Sequence, residues 1–328
     1  MTTARFHGSA WGALFVLGAS VLWGTTGTAA TFAPDVSPLA IGAAAMGFGG
    51  LLQAAVAGRL LKAFGFSLRS QWRTVALGAV AVAAYPLAFY SSMHLAGVAV
   101  GTVVSIGSAP LASAVIERVA DRRPFTRRWV GGAILGVVGA GLLCIAGAGM
   151  PRSAMESVPA WSAPAGIALG LLAGLTYALY SWAAHRVINT GVPSRAVMGA
   201  VFGTGGLLLM PVLAITGMPF LASWQNLAVG AYMALVPMFA GYVLFGWGLA
   251  RVHASTATTL SLSETVVAAV LAVVIVGERL PAPGWLGAAM IAAGLFVLTL
   301  PAPRSLKLRR ERRVEKLLGE PDQVTRGV

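Results

Sequence analysis

The sequence has little charge, and least of the negative sign. Charged residues make up 10% of its 328 residues, against about 25% in a typical soluble domain. Only 10 residues are Asp or Glu, while 23 are Lys or Arg. The resulting formal charge of +13 does not read as a nucleic-acid surface, because the basic residues sit in short loops and one tail. There is one cysteine, Cys144, inside an apolar run, which excludes an internal disulfide and a cysteine metal cluster. The four histidines are far apart in sequence, so no metal site is expected. No glycine-rich nucleotide loop stands between a strand and a helix, and no cofactor is expected.

What the sequence has in excess is apolar length. Hydrophobic residues make up 57% of the chain, mean hydropathy is +0.81, and there are 41 Gly and 17 Pro. These values define an integral membrane protein whose helices pack closely and kink. Hydropathy and turn residues predict ten spans, at roughly 11–32, 38–58, 73–93, 97–118, 128–148, 164–185, 196–217, 226–248, 255–277 and 284–300. The first apolar run, Trp11 to Phe32, is longer than the 7 to 15 residues of a signal-peptide core and reads as a retained helix. With the N-terminus inside, ten spans leave only Arg152 and Arg279, of all Lys and Arg, on the outer side.

A weak internal repeat supports the same count. Gly101 to Gly136 aligns without a gap on the second half at a constant offset. Thr102 then falls on Thr258, Ser105 on Ser261, Ala112 on Ala268, Arg123 on Arg279, Trp129 on Trp285, Gly131 on Gly287 and Ala133 on Ala289. Five spans per half make the second half enter the membrane upside down. The expected fold is therefore an all-α integral membrane protein of ten transmembrane helices in two five-helix inverted repeats, with both termini cytoplasmic. The divisions are 1–150, 151–303 and a basic cytoplasmic tail, 304–328, which reads as a short amphipathic helix drawn to anionic lipid.

The chain is organised around Ala254 to Arg279, ASTATTLSLSETVVAAVLAVVIVGER. As one straight helix, Ser255 to Gly277 would reach about 35 Å, enough to cross a hydrocarbon core of about 30 Å. Its first half carries Ser255, Thr256, Thr258, Thr259, Ser261, Ser263 and Thr265; its second half is nearly pure aliphatic. Between them sits Glu264, the one acid expected deep in the bilayer, and an acid at that depth is costly and reads as functional. Glu117 and Glu278 lie near span ends beside Arg118 and Arg279 and read as helix-end pairs.

Polar and aromatic residues inside spans are the candidates to meet a ligand. They are Trp23 and Thr26 in the first span; Tyr85, Tyr90 and His94 around Pro86 in the third; and Ser105 and Ser108 before Pro110 in the fourth. Tyr177 and Ser181 follow in the sixth span, with Tyr180, Trp182 and His185 nearby, then Tyr242 and Trp247 after Pro237, and Ser261 with Glu264. Rings, hydroxyls and one acid suit an amphiphilic amine, its charge on the carboxylate and its body on the rings. A phosphorylated solute fits poorly, because no Lys or Arg lies deep in a span. An intramembrane enzyme would need a base beside Ser108, and no histidine is placed to serve.

The stretch GLARVHASTATTLSLSETVVAAVLAVVIVGERLPAPGWLGAAMIAAGLFVL resembles the second repeat of the EamA family, within the drug/metabolite transporter superfamily. Glu264 stands where that family carries Glu-Pro, and Gly277, Glu278 and Arg279 where it carries Gly-Glu-Arg; Trp23 and Gly24 match its early Trp-Gly. The sequence departs from the pattern at Thr265, at Ser108-Ala109 before Pro110, and at Ala120-Asp121-Arg122. The resemblance covers about 11 to 300. It implies a multi-pass carrier of the bacterial inner membrane, an exporter of amino acids, other metabolites or drugs, and not an enzyme. Its expected partners are a small-molecule substrate and membrane lipid, with a second copy of the chain as a candidate homodimer partner and no nucleic acid. Proton-coupled alternating access is the expected mechanism. Multidrug or organic-cation export and a non-transporting membrane scaffold or sensor are the alternatives.

Overall fold

The computed structural model describes residues 2–96, 98–148, 161–276 and 281–299, and no strand occurs among them. Helix α1 spans Thr2–Gly24 and α2 Thr26–Ala30; α3 spans Pro38–Val56, followed by the short α4 (Gly58–Ala63) and α5 (Gly65–Ser70). Next come α6 (Trp72–Ala96), α7 (Val98–Ala120), α8 (Arg127–Ala148), α9 (Ser162–Ile188) and α10 (Ser194–Thr216). A 3-10 turn at Met218–Leu221 leads to α11 (Trp224–Met233), a π-helical stretch (Ala234–Ala240) and α12 (Gly241–Leu249). Then α13 (Ala254–Leu260), α14 (Ser263–Leu271), a second π-helical stretch (Ala272–Val276) and α15 (Ala282–Thr299) complete the order. Arg152, the Gly277–Arg279 motif and the tail 304–328 lie outside the described residues, as does the Cys144 side chain.

Eight stretches have the length and apolar composition to cross a membrane: Ala10–Ala30, Pro38–Val56, Trp72–Ala96, Val100–Ala120, Ser162–Ile188, Ser194–Thr216, Trp224–Leu249 and Ala254–Ile275. The expected fifth and tenth spans fall on α8 and on the shorter apolar helix Ala282–Leu298. The outer surface is apolar: Ile215 is 83% exposed and Leu207 61%, as only a lipid-facing helix tolerates. The two halves interleave, with α6 and α7 packed on α9, α3 on α10, and α1 on α12 and α14.

Helix ends gather in two groups. Arg123 reaches His253, Arg128 donates to the Val297 carbonyl and Arg251 packs on Gly12. The start of α1, the α7–α8 and α12–α13 links and the end of α15 therefore meet at one end. At the other, Gln225 donates to the Phe32 carbonyl at 2.6 Å and Ser92 to the Gly166 carbonyl at 2.7 Å.

The straight helix expected over 255–277 is broken. The chain turns at Ser261 and Leu262, and three-residue bonds replace four-residue ones: Leu262 N to Thr259 O at 3.3 Å, Glu264 N to Ser261 O at 3.0 Å and Thr265 N to Leu262 O at 3.2 Å. The cause lies in the hydroxyls. Ser261 donates to Thr258 O (2.9 Å), Ser263 to Leu260 O (2.8 Å) and Thr265 to Leu262 O (2.7 Å), competing with the helix for its own carbonyls. The first span breaks in the same way at Thr25, where Thr25 donates to Leu22 O (2.6 Å) and Thr26 to Trp23 O (2.7 Å). The two breaks face each other: a Cβ on Gly24 would collide with Val267 and the Glu264 carbonyl.

Helices α3 and α10 approach even more closely. A Cβ on Gly50 would overlap the Phe202 carbonyl, a backbone atom that cannot yield. Gly50→Ala is expected to destabilise the fold by about 1–3 kcal/mol, as overpacking does. Gly58→Ala, where nothing lies within 4 Å, is the control and leaves the melting temperature in detergent unchanged.

Candidate functional site

The breaks and the segments that carry Pro86 and Pro237 surround a central cavity of about 60 Å³. Its wall takes Trp23 and Thr26 from the first break, and Tyr85, Pro86, Phe89 and Tyr90 from α6. Gly42, Ala45 and Met46 of α3, Tyr177 and Tyr180 of α9, Met238 and Tyr242 near Pro237, and Glu264 of α14 complete it. Glu264 is the only charged residue in the lining. It occupies the first turn of α14, the positive end of that helix's dipole, which offsets part of its charge. Its carboxylate makes no hydrogen bond to a protein group among the described residues, so it remains available to a ligand. The hydroxyls of Tyr85 and Tyr90, both in the lining, likewise have no hydrogen-bond partner among the described residues.

The rings form one connected wall. Trp23 lies 4.8 Å from Tyr242 and 6.4 Å, edge-on, from Tyr177; Tyr85 stacks on Phe89 at 5.6 Å and meets Tyr177 at 5.7 Å. Hydrogen bonds hold the rings in place. Trp23 donates to the Pro237 carbonyl within the π-helical stretch (3.0 Å), the Tyr180 and Tyr242 hydroxyls pair at 2.8 Å, and Tyr177 donates to Ser261 (2.8 Å). An ammonium entering this cavity would meet one carboxylate and several ring faces.

Seven of the thirteen candidate residues therefore line one cavity: Trp23, Thr26, Tyr85, Tyr90, Tyr177, Tyr242 and Glu264. The other six lie outside that lining. Ser261 sits behind it, holding Tyr177. Ser105 and Ser108 face Gly174 in the α7–α9 contact, and Ser181 is fully buried. Trp247 packs on Phe15 at 5.3 Å, and His94 is exposed at the end of α6. The α3 contribution carried no polar or aromatic signal. Gly42 is legible only in retrospect, since a Cβ there would strike Tyr90.

The arginine-rich end is closed by a polar layer. Glu117 is not an end pair for Arg118, as its position suggested. It is buried, and its carboxylate accepts from the Ser255 hydroxyl (2.6 Å) and backbone N–H (3.2 Å), capping α13 from a neighbouring helix. Asp121 accepts from Arg186 (2.6 Å) and Trp182 (2.8 Å). His185 bonds the Leu249 carbonyl (2.6 Å) and Asn189 (2.9 Å) and abuts His253, onto which Arg123 donates (2.8 Å to Nδ1). Desolvation holds the His253 imidazole below its ordinary value, and the Arg123 guanidinium and His185 add to it.

A multi-pass helical bundle with a central cavity lined by aromatic rings and one acid has the form of a solute transporter. Comparison with known proteins agrees. Residues 10–145 and 164–300 both match the EamA-like transporter family, and the chain belongs to that family. It is 36% identical over 298 residues to the uncharacterized transporter YwfM of Bacillus subtilis (strain 168), covering 90% of this chain and 95% of that one. It is 26% identical over 234 residues to the threonine/homoserine exporter RhtA of Salmonella typhimurium (strain LT2), covering 69% and 74%. A protein of known crystal structure, 20% identical, superposes with a TM-score of 0.67 over 92% of this chain and 98% of that one, which shows a shared fold.

Two outcomes follow from the polar layer. Glu117→Ala leaves the Ser255 donors buried and unpaired and is expected to cost about 1–3 kcal/mol. In a double-mutant cycle with Ser255→Ala, thermal unfolding in detergent should show coupling between the two sites. Because the His253 value is lowered in the fold, the unfolded chain binds more protons and stability rises with pH. The melting temperature should climb as pH rises toward and through about 6.5, the ordinary imidazole value, and His253→Asn should flatten that slope.

Proposed function

We propose that the protein is a secondary carrier of the bacterial inner membrane that exports small amine-bearing amphiphiles, amino acids among them, by alternating access. The central cavity carries this reading: aromatic walls from both halves of the chain surround a single carboxylate, with no basic residue in the lining. The substrate amine binds Glu264 and its apolar body lies against Trp23, Tyr85, Tyr90, Tyr177 and Tyr242. A proton and the amine compete for the same carboxylate, which couples export to the pH gradient. The relative described as a threonine/homoserine exporter supports amino acids as the first solutes to test. The absence of a base that could hold a carboxylate favours organic cations as the second reading.

Ten spans with both termini cytoplasmic form the framework. It is supported by the arginine distribution and by the way the helix ends gather in two groups. On this orientation the polar layer of Glu117, Asp121, Arg123, His185 and His253 bars the cytoplasmic side. A cavity of about 60 Å³ holds roughly two waters at about 30 Å³ each, so the described conformation is a contracted one.

The test is counterflow in liposomes carrying the purified protein, with labelled amino acids and aliphatic amines, with and without a pH gradient. Accumulation of amine-bearing solutes is expected. Glu264→Gln should reduce it on the order of tenfold or more, matching a charged hydrogen bond of about 1.5–3 kcal/mol. Undiminished pH-driven accumulation in Glu264→Gln, or transport of anions alone, would overturn the reading.

A further inference from the structure

A second cavity lies at the arginine-rich end, between α3, the start of α10, and α12. It is small, about 20 Å³, and reaches the surface beside Val56 and Arg195, both exposed. Its wall contains Gln53, which is 4% exposed and whose amide oxygen and nitrogen both lack a hydrogen-bond partner among the described residues. Burying an amide in this state costs about 1–3 kcal/mol, and leucine would fill the same space without that penalty. The side chain is therefore short of one donor and one acceptor.

Other groups converge on the same cavity. Ser194 and Arg195 open α10 and line the cavity; Pro193 before them offers no side-chain cap, and while the Ala196 and Val197 N–H groups bond the Pro193 carbonyl, no intrahelical carbonyl precedes the Ser194 and Arg195 N–H groups. Arg195 makes no ion pair among the described residues. Arg59 and Lys62, both exposed on α4, add positive charge where that helix packs on α10. Val56, Phe239 and Val243 form an apolar flank.

We propose that this cavity holds the phosphodiester headgroup of a membrane phospholipid that also carries a hydrogen-bond donor, an ethanolamine ammonium or a glycerol hydroxyl. The phosphate oxygens accept from Arg195 and from the first N–H groups of α10 at the cavity mouth. The headgroup donor satisfies the Gln53 oxygen. The tip of the headgroup enters the cavity, which has room for about one water-sized group, and the acyl chains follow the apolar flank. The bound lipid ties α3 to α10 and α12 at the membrane surface. The inference needs only that the chain is embedded in a bilayer and is independent of which solute it carries.

Thermal unfolding of the delipidated protein in detergent tests it. Phosphatidylglycerol, phosphatidylethanolamine, phosphatidylcholine and inorganic phosphate are added separately, and each variant's lipid-free melting temperature serves as its own reference. The glycerol and ethanolamine lipids should raise the melting temperature by about twofold more than the choline lipid, which has no donor; inorganic phosphate should have little effect. Gln53→Leu should remove the excess over phosphatidylcholine. Arg195→Gln, an exposed substitution that does not threaten folding, should shrink the rise for all three lipids. Equal responses to the three lipids, or an unchanged excess in Gln53→Leu, would mean that the amide holds only a water molecule and would overturn the proposal. A full response to inorganic phosphate would make this an anion site and overturn the lipid assignment.

Discussion

Everything in this bundle follows from the requirement that a backbone in hydrocarbon satisfy its own hydrogen bonds. A helix can be interrupted there only where side chains supply the missing partners. The hydroxyls of Thr25, Thr26, Ser261, Ser263 and Thr265 do this, each bonding a carbonyl three residues back. The interruptions place Trp23 and Glu264 opposite each other at the centre of the bundle. Without them the acid would sit on a continuous helix, with no dipole end beside it and no room to face. Proline acts similarly: Pro86 and Pro237 both lie in the cavity region, and Trp23 bonds the Pro237 carbonyl.

The sequence made the membrane class, the positions of eight spans and the identity of the central acid readable, because each depends on composition or length along one stretch of chain. Seven cavity residues were readable on the same basis, as polar or aromatic side chains inside apolar spans. What could not be read depended on partners far away in the chain. Ser105, Ser108 and Ser181 have the same composition signal as a cavity residue, but the first two face Gly174 of a neighbouring helix and Ser181 is buried outside the lining. Gly42 and Met46 have no such signal and line the cavity. Glu117 looked like a terminal charge, and only the fold brings Ser255, far along the chain, within 2.6 Å of it. The helix break at Ser261 has a signal in the sequence, seven hydroxyls in one half-span, but the carbonyls for which they compete are set only by the fold.

The polar layer and the cavity use one chemistry at two depths. In the cavity the Glu264 carboxylate has no hydrogen-bond partner among the described residues and faces open space. In the layer every acid is engaged: Glu117 by Ser255, and Asp121 by Arg186 and Trp182. An acid with fixed donors stabilises one arrangement of helices, whereas an acid without them answers to what arrives. The same chain thus separates holding from sensing by the number of donors it gives each carboxylate.

The contact between Gly24 and the backbone at Glu264 has a consequence for how such a protein can diversify. Because α1 presents only a glycine to Val267 and the Glu264 carbonyl of α14, the acid's location depends on this close helix contact and not on the packing of a cavity ring. The rings at Tyr85, Phe89, Tyr90 and Tyr177 belong to other helices and can be exchanged one at a time. A lineage can therefore reshape the cavity wall while keeping the one charge beside it in place.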